Sequence, residues 1–201
     1  PTPATQVVTI NPNPVPEIIG IYSACVETPT TYETTPGMSN YTWTVSSGGT
    51  ITSGSGTHAI TVNWTTTGDK TVSLEYNDLN GCATVTPSEF VVTVNPRPSP
   101  VITGPTGACI NTTSIYSTAE GMSNYLWAVT AGGTIISGEG SNSVTVDWST
   151  TGTKQVSVNY TNIHGSQAQT PTTLPVTIHP RPIPVITGPV ALCHHETVTY
   201  T

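Results

Sequence analysis

What most constrains this chain is an 84-residue repeat that runs through it without a gap. Gly37-Met38-Ser39-Asn40-Tyr41-Thr42-Trp43-Thr44-Val45 and the pair Gly48-Gly49 return as Gly121-Met122-Ser123-Asn124-Tyr125-Leu126-Trp127-Ala128-Val129 and Gly132-Gly133. Residues 17–100 align with 101–184 at 40 identical positions. Solenoid repeats run to about 20–50 residues because each leans on its neighbours for a core. A unit of 84 residues is close to the roughly 100 residues and seven strands of an immunoglobulin-like sandwich, so each repeat is expected to fold as its own domain. The period extends past both copies: Pro3–Pro12 matches Pro87–Pro96, and Val185–Pro189 repeats Val101–Pro105. The expected organisation is therefore four pieces. Residues 1–16 are the last strand and joint of a preceding repeat, 17–100 and 101–184 are complete β-sandwich repeats, and 185–201 is the first strand of a following one. With no initial Met and an end in mid-pattern, the chain reads as a window on a longer protein.

Alternation decides the class. Tyr41, Trp43 and Val45 stand two apart and so share one face of a strand, and the Gly-Gly pair then turns the chain into the next strand. Ile60, Val62 and Trp64 share a face, as do Val72, Leu74 and Tyr76. Strands are expected near 17–21, 30–34, 40–46, 50–53, 59–64, 70–77 and 89–94, with Asn80-Gly81 as a tight hairpin turn. Helix formers are scarce and nowhere recur at helical spacing. The fold expected is all-β: tandem immunoglobulin-like β-sandwich domains arranged as beads on a string. Tyr41, Trp43, Trp64 and Tyr76 should fill the first core, with Tyr125, Trp127, Trp148 and Tyr160 in the second, rather than form a sugar-stacking surface.

Charge is unusually sparse. Only 7% of the residues are charged, against about 25% in an ordinary soluble domain. Four Trp, eight Tyr and regular Val/Ile alternation oppose disorder, and no apolar run approaches the roughly 18 residues of a membrane helix. Four basic side chains against 11 acidic ones cannot track a phosphate backbone, so nucleic acid is not an expected partner. Each repeat ends in alternating prolines: Pro12-Asn13-Pro14-Val15-Pro16, Pro96-Arg97-Pro98-Ser99-Pro100 and Pro180-Arg181-Pro182-Ile183-Pro184. Such prolines hold φ fixed and favour an extended, semi-rigid spacer.

Tyr41-x-Trp43-x-Val45 with its Gly pair, Thr66-Thr67-Gly68-x-Lys70-x-Val72-x-Leu74-x-Tyr76 and Asn80-Gly81-Cys82 together resemble a PKD-type domain. The likeness is to the PKD-like and Ig-like tandem repeats of large Bacteroidota surface proteins, gliding adhesins among them, and it covers essentially the whole chain. The aspartate usual between the glycines of that motif is absent here. The resemblance implies a secreted, extracellular cell-surface protein in which such domains form a stalk, and it implies no catalytic residues.

Candidate chemistry is thin. Cys25 and Cys82 lie in one repeat and, in an oxidising compartment, would close a loop of about 57 residues worth about 3–4 kcal/mol. A plain strand count puts them at opposite ends of the sandwich unless Cys25 sits on a segment that crosses back, and two reduced thiols are the alternative. Cys109 and Cys193 repeat the Cys25 position, while Ser166 stands at the Cys82 position. His194-His195-Glu196, near His179, looks like a ligand set, but the other repeats carry Val26-Glu27-Thr28 and Ile110-Asn111-Thr112 there, so solvated loop side chains are expected. Asp69, Asp78 and Asp147 could serve calcium as hard oxygen ligands but do not cluster, and no cofactor is expected. The triplets beginning at Asn40, Asn63 and Asn111 match the glycosylation acceptor pattern, which arises easily in Thr-rich strands. No nucleophile elbow or paired-carboxylate motif is present, so an enzyme is not expected. The partners expected are neighbouring repeats of the same chain, further copies in a fibre, and surface polysaccharide. The leading function is a structural stalk or spacer of a long secreted cell-surface adhesin or filament. The alternative is a carbohydrate-binding or accessory module of a secreted glycanase.

Overall fold

The computed structural model describes residues 3–200, so of the expected end pieces Pro1, Thr2 and Thr201 lie outside the described residues. Among the described residues two compact units form: residues 3–98 together with 161–169, and residues 99–160 together with 170–200. Each unit carries seven strands in two sheets, and the architecture is all-β among the described residues. None of those residues lies in a helix long and apolar enough to cross a membrane.

In the first unit the strands are β1 (Ser23–Cys25), β2 (Thr30–Glu33), β3 (Ser39–Val45), β4 (Gly49–Ser53), β5 (Ala59–Trp64), β6 (Gly68–Asn77) and β7 (Ser88–Asn95). One sheet has the order β2-β5-β4 and the other β1-β7-β6-β3. The second unit repeats this with β8 (Gly107–Cys109), β9 (Thr112–Ser117), β10 (Ser123–Val129), β11 (Gly133–Ser137), β12 (Ser143–Trp148), β13 (Gly152–Thr161) and β14 (Thr172–His179). Its sheets run β9-β12-β11 and β8-β14-β13-β10. The β1–β7 and β14–β8 pairs are parallel, whereas β2, β4 and β6 meet their partners antiparallel.

Strict alternation builds the cores. Tyr32, Ile60, Val62 and Trp64 face Val72, Leu74, Val92 and Val94 in unit 1, each at most 1% exposed, with Trp43, Tyr76 and Phe90 closing the ends of that layer. Tyr116, Val144, Val146 and Trp148 take the same places in unit 2, beside Tyr125, Trp127 and Tyr160. All eight aromatics expected inside belong to these clusters, Tyr41 as a half-buried member at the rim. Phe90, Tyr32 and Tyr116 complete the aromatic set.

The Gly-Gly pair has a packing reason. A Cβ at Gly49 would sit 2.5 Å from the Trp64 ring and one at Gly133 2.6 Å from Trp148, so a glycine there lets the indole lie flat on the backbone. The repeated Asn has a conformational one. The β3–β6 register shifts between Ser39 and Thr42, and Asn40 takes φ 52° there, as Asn124 takes φ 50° in unit 2. Asparagine tolerates that left-handed region better than most side chains. The Tyr41 hydroxyl then donates to Thr35 O at 2.8 Å and accepts the Met38 amide at 2.9 Å, tying down the loop before β3.

Three expectations are corrected. Residues 17–21 form no continuous strand: Ile19 makes one antiparallel bridge to Glu33, and the chain then crosses to the other sheet, where β1 begins at Ser23. Pro16 and Gly20 leave this segment short of the donors and side chains that a ladder needs. Asn80-Gly81 is not a two-residue turn. Asp78 Oδ1 accepts the amides of Asn80 and Cys82 at 2.9 and 2.8 Å, making a five-residue loop closed by the Asn77–Ala83 bridge. Finally, no strand forms in 3–16 or in 185–200. Val7, Val8 and Ile10 are 74–91% exposed, because a strand lacking a partner has no ladder to join.

Candidate functional site

The place where each unit's first and last strands meet carries the least expected geometry. β1 lies beside β7 in parallel register, Ser23 opposite Thr93, Ala24 opposite Val94 and Cys25 opposite Asn95. In unit 2, Gly107, Ala108 and Cys109 face Thr177, Ile178 and His179 in the same way. In a parallel pair the entering chain and the leaving chain depart from opposite ends of the ladder. Tension between them therefore shears the hydrogen bonds together instead of opening them one at a time.

Beyond β1 the chain makes a tight turn through Glu27, which takes φ 56°. The turn is fixed on both sides: the Val26 amide donates to Asn95 O at 3.0 Å and the Glu27 amide to Trp64 O at 2.7 Å. Its carbonyls then point at the joint. Arg97, flanked by Pro96 and Pro98, donates from Nε to Val26 O at 3.0 Å and from Nη2 to Glu27 O at 2.7 Å. Nη2 also reaches Thr28 Oγ1 at 3.3 Å. Unit 2 repeats the device. Asn111 takes φ 59°, its amide donates to Trp148 O, and Arg181 donates to Ile110 O at 3.1 Å and Asn111 O at 2.7 Å. Guanidinium-to-carbonyl bonds are charge-assisted and the planar fork fixes their direction. The arginine after the last strand thus clasps the turn after the first.

Sequence reasoning missed this clasp, although a signal was present. The chain has two arginines, both between prolines and 84 residues apart. A proline-flanked residue reads as spacer because the prolines donate nothing, yet the side chain between them can.

The cysteine pair expected within a repeat does not form. Cys25 is opposite Asn95, at the C-terminal end of β7, whereas Cys82 lies in the loop that precedes β7 at Ser88. The two thiols sit at opposite ends of the sheet, and all four cysteines are unbridged. Strand β1 does cross between sheets, but it arrives at the far end.

The other candidates are dispersed. Asp69 accepts the Thr93 hydroxyl at 2.8 Å, Asp78 caps its own loop, and Asp147 lies on β12 opposite Thr134 and Thr113. Among the described residues no three His, Cys, Asp or Glu side chains gather as a metal site, and no pocket opens. His179 contributes its backbone carbonyl, which accepts the Ile110 amide at 2.9 Å. His194-His195-Glu196 forms the same turn as Val26-Glu27-Thr28, with His195 at φ 71° and the Glu196 amide donating to Cys193 O. The four tryptophans are buried. Two core hydroxyls are perturbed: burial raises the pKa of Tyr32, opposed by a hydrogen bond from Trp64, and burial likewise raises Tyr116.

One aromatic does face outward. Tyr22 is 73% exposed and stacks on Phe90 with ring centroids 4.6 Å apart. Unit 2 has Thr106 and Leu174 at these positions.

Comparison with known proteins gives a family. The sequence pattern of the PKD-like domain matches residues 11–92 and again 95–176, at the same 84-residue period. No curated protein matches the chain. Among solved structures it is similar to the fibronectin(III)-like modules of Clostridium thermocellum CbhA, at 12% identity and a TM-score of 0.39, covering 90% of this chain and 100% of that one. It is also similar to a C-terminal fragment of intimin bound to a domain of the translocated intimin receptor, at 19% and 0.42, covering 81% and 63%. Domains 4 and 5 of the S-layer protein SbsC are similar at 11% and 0.34, covering 82% and 98%. None of these three similarities bears on function. Two sandwiches, an unbroken repeat and a pattern matched twice lead to one conclusion: the chain belongs to the PKD-like domain family and carries that domain in tandem.

Proposed function

We propose that this chain is a load-bearing spacer, part of the stalk of a long secreted adhesin or filament at the cell surface. The observation that carries this reading is the parallel β1–β7 pair, repeated as β8–β14. It joins the ends of each unit in the geometry that resists pulling, and Arg97 and Arg181 add bonds that must break in the same step. Buried aromatic cores hold each unit, and Arg97 and Arg181 tie the joints that follow β7 and β14 back to the domain each one leaves. The proposal assigns no catalysis and no cofactor, and membership among gliding adhesins is its narrowest form. Small-angle scattering tests the spacer: the proposal expects a maximum dimension of roughly 80–100 Å. A compact particle half that length would end the reading.

A second reading has one observation behind it. The exposed Tyr22 ring, held flat by Phe90, is an apolar plate of the kind that stacks on sugar rings, which would suit an accessory module acting on polysaccharide. A glycan array with the unsubstituted chain and Tyr22→Ala tests it. Binding lost with the ring supports that reading, and an empty array removes it.

A further inference from the structure

Unit 1 includes residues 161–169, the loop that joins β13 to β14, and this loop meets the cysteine turn. The Cys25 thiol, 5% exposed, donates to His164 O at 3.6 Å. Arg97 Nη1 donates to Gln167 O at 3.0 Å. The second contact occurs twice: Asn13, 84 residues before Arg97, donates from Nδ2 to Ala83 O at 2.8 Å, and Ala83 stands 84 residues before Gln167. A joint residue therefore meets the same point of the same loop in both places.

The two loops are built alike. Asn162 Oδ1 accepts the amides of His164 and Ser166, both at 3.0 Å, as Asp78 Oδ1 accepts those of Asn80 and Cys82. Two amides meeting one oxygen bring residues 164 and 166 together, so Ser166 lies next to the carbonyl that Cys25 touches. Ser166 is 5% exposed. Cys82, at the same point of the other loop, is half-buried. The turn carries cysteine at Cys25, Cys109 and Cys193, while the loop carries it only at Cys82.

From this geometry we infer that the cysteine turn and the loop position held by Cys82 and Ser166 are the two halves of a disulfide between repeats. Cys82 is the receiving half for the cysteine turn of another repeat. Ser166 leaves Cys25 without its partner, which is why a bridge within one repeat is the wrong pairing. Closure needs a disulfide oxidant such as oxidised glutathione: the two thiols lose two protons and two electrons, a sulfur–sulfur bond forms between them, and the oxidant's own bond breaks to give two thiols. The inference does not depend on the spacer reading.

The full chain carrying Ser166→Cys tests it, equilibrated in a glutathione redox buffer, alkylated and mapped by mass spectrometry without reduction. The expected result is a peptide joining Cys25 to the introduced cysteine and lacking two hydrogens, closed in most molecules, with Cys82, Cys109 and Cys193 alkylated. Alkylation of both Cys25 and the introduced thiol overturns it, as does an introduced thiol bridged indifferently to the other cysteines, since a disulfide demands Cβ atoms within about 4.5 Å. Alkylation of the unsubstituted chain gives a second reading should the variant fold poorly. Cys25, covered by the loop, should react roughly tenfold more slowly than Cys109. Equal rates also overturn it.

Discussion

The two units share a fold and differ at the centre. In unit 1 the buried Trp64 donates from Nε1 to the Tyr32 hydroxyl at 3.3 Å. In unit 2 the same pair, Trp148 and Tyr116, meets edge to face at 6.3 Å, and neither Trp148 Nε1 nor the Tyr116 hydroxyl, both buried, makes a hydrogen bond of good geometry. The clasp, by contrast, is kept: Arg97 and Arg181 each hold two carbonyls of the turn after the first strand. The core accepts an unmet hydrogen bond, worth about 1–3 kcal/mol, while the two arginine-to-carbonyl bonds that tie a unit's ends recur in both units. That is the pattern expected if the linkage between a unit's ends carries the function and the core only has to be full.

The largest effects should fall on the shared core. Trp64→Ala and Trp148→Ala should each destabilise their own unit by about 3–5 kcal/mol. Denaturant unfolding followed by the remaining tryptophans should then split into two transitions. If either change melts both units together, they are not independent.

The clasp comes next. Arg97→Ala removes charge-assisted bonds from a half-buried side chain and should cost about 1.5–2 kcal/mol. Arg181 is exposed, so Arg181→Ala should cost about 0.5–1 kcal/mol. Equal losses would show that burial does not set the clasp's strength.

The sharpest contrast is between the tyrosines. Tyr32→Phe strands the Trp64 donor and should cost about 1 kcal/mol, whereas Tyr116→Phe deletes a hydroxyl with no well-formed hydrogen bond and should be neutral or slightly stabilising. Matching losses in thermal unfolding would mean the two centres are not different after all.

The smallest effect is on alkaline stability. Tyr32 and Tyr116 are held neutral by burial, their pKa raised from the unfolded value near 10. The folded state then binds the proton more tightly, so their contribution is whole below about pH 10 and declines as pH climbs through the raised folded values. The unfolding midpoint should fall above about pH 10, and less steeply in the double Phe variant. An unchanged slope would remove the tyrosines from that loss.

Much of the fold was legible because the cores follow period two. Ile60-x-Val62-x-Trp64 and Val72-x-Leu74-x-Tyr76 state both strand and face, and the gapless repeat states the domain. What was not legible lies where the pattern is short or polar. Ser23-Ala24-Cys25 is too brief to show alternation, and its parallel partners Thr93, Val94 and Asn95 are too distant in sequence to leave a local trace. Arg97 was hidden by its prolines. The strand count already sets Cys25 and Cys82 at opposite ends. The segment that crosses between sheets carries Cys25 to the Asn95 end of β7 instead of bringing the two together, and no local pattern states where that crossing lands.

Stretching single molecules by their two ends tests the central claim most directly. The account predicts two separate force peaks, each releasing on the order of 240 Å, the extended length of an 84-residue repeat less its folded span. Arg97→Ala should lower one peak and leave the other in place. Extension without peaks, or peaks that the arginine change leaves untouched, would contradict a load-bearing clamp.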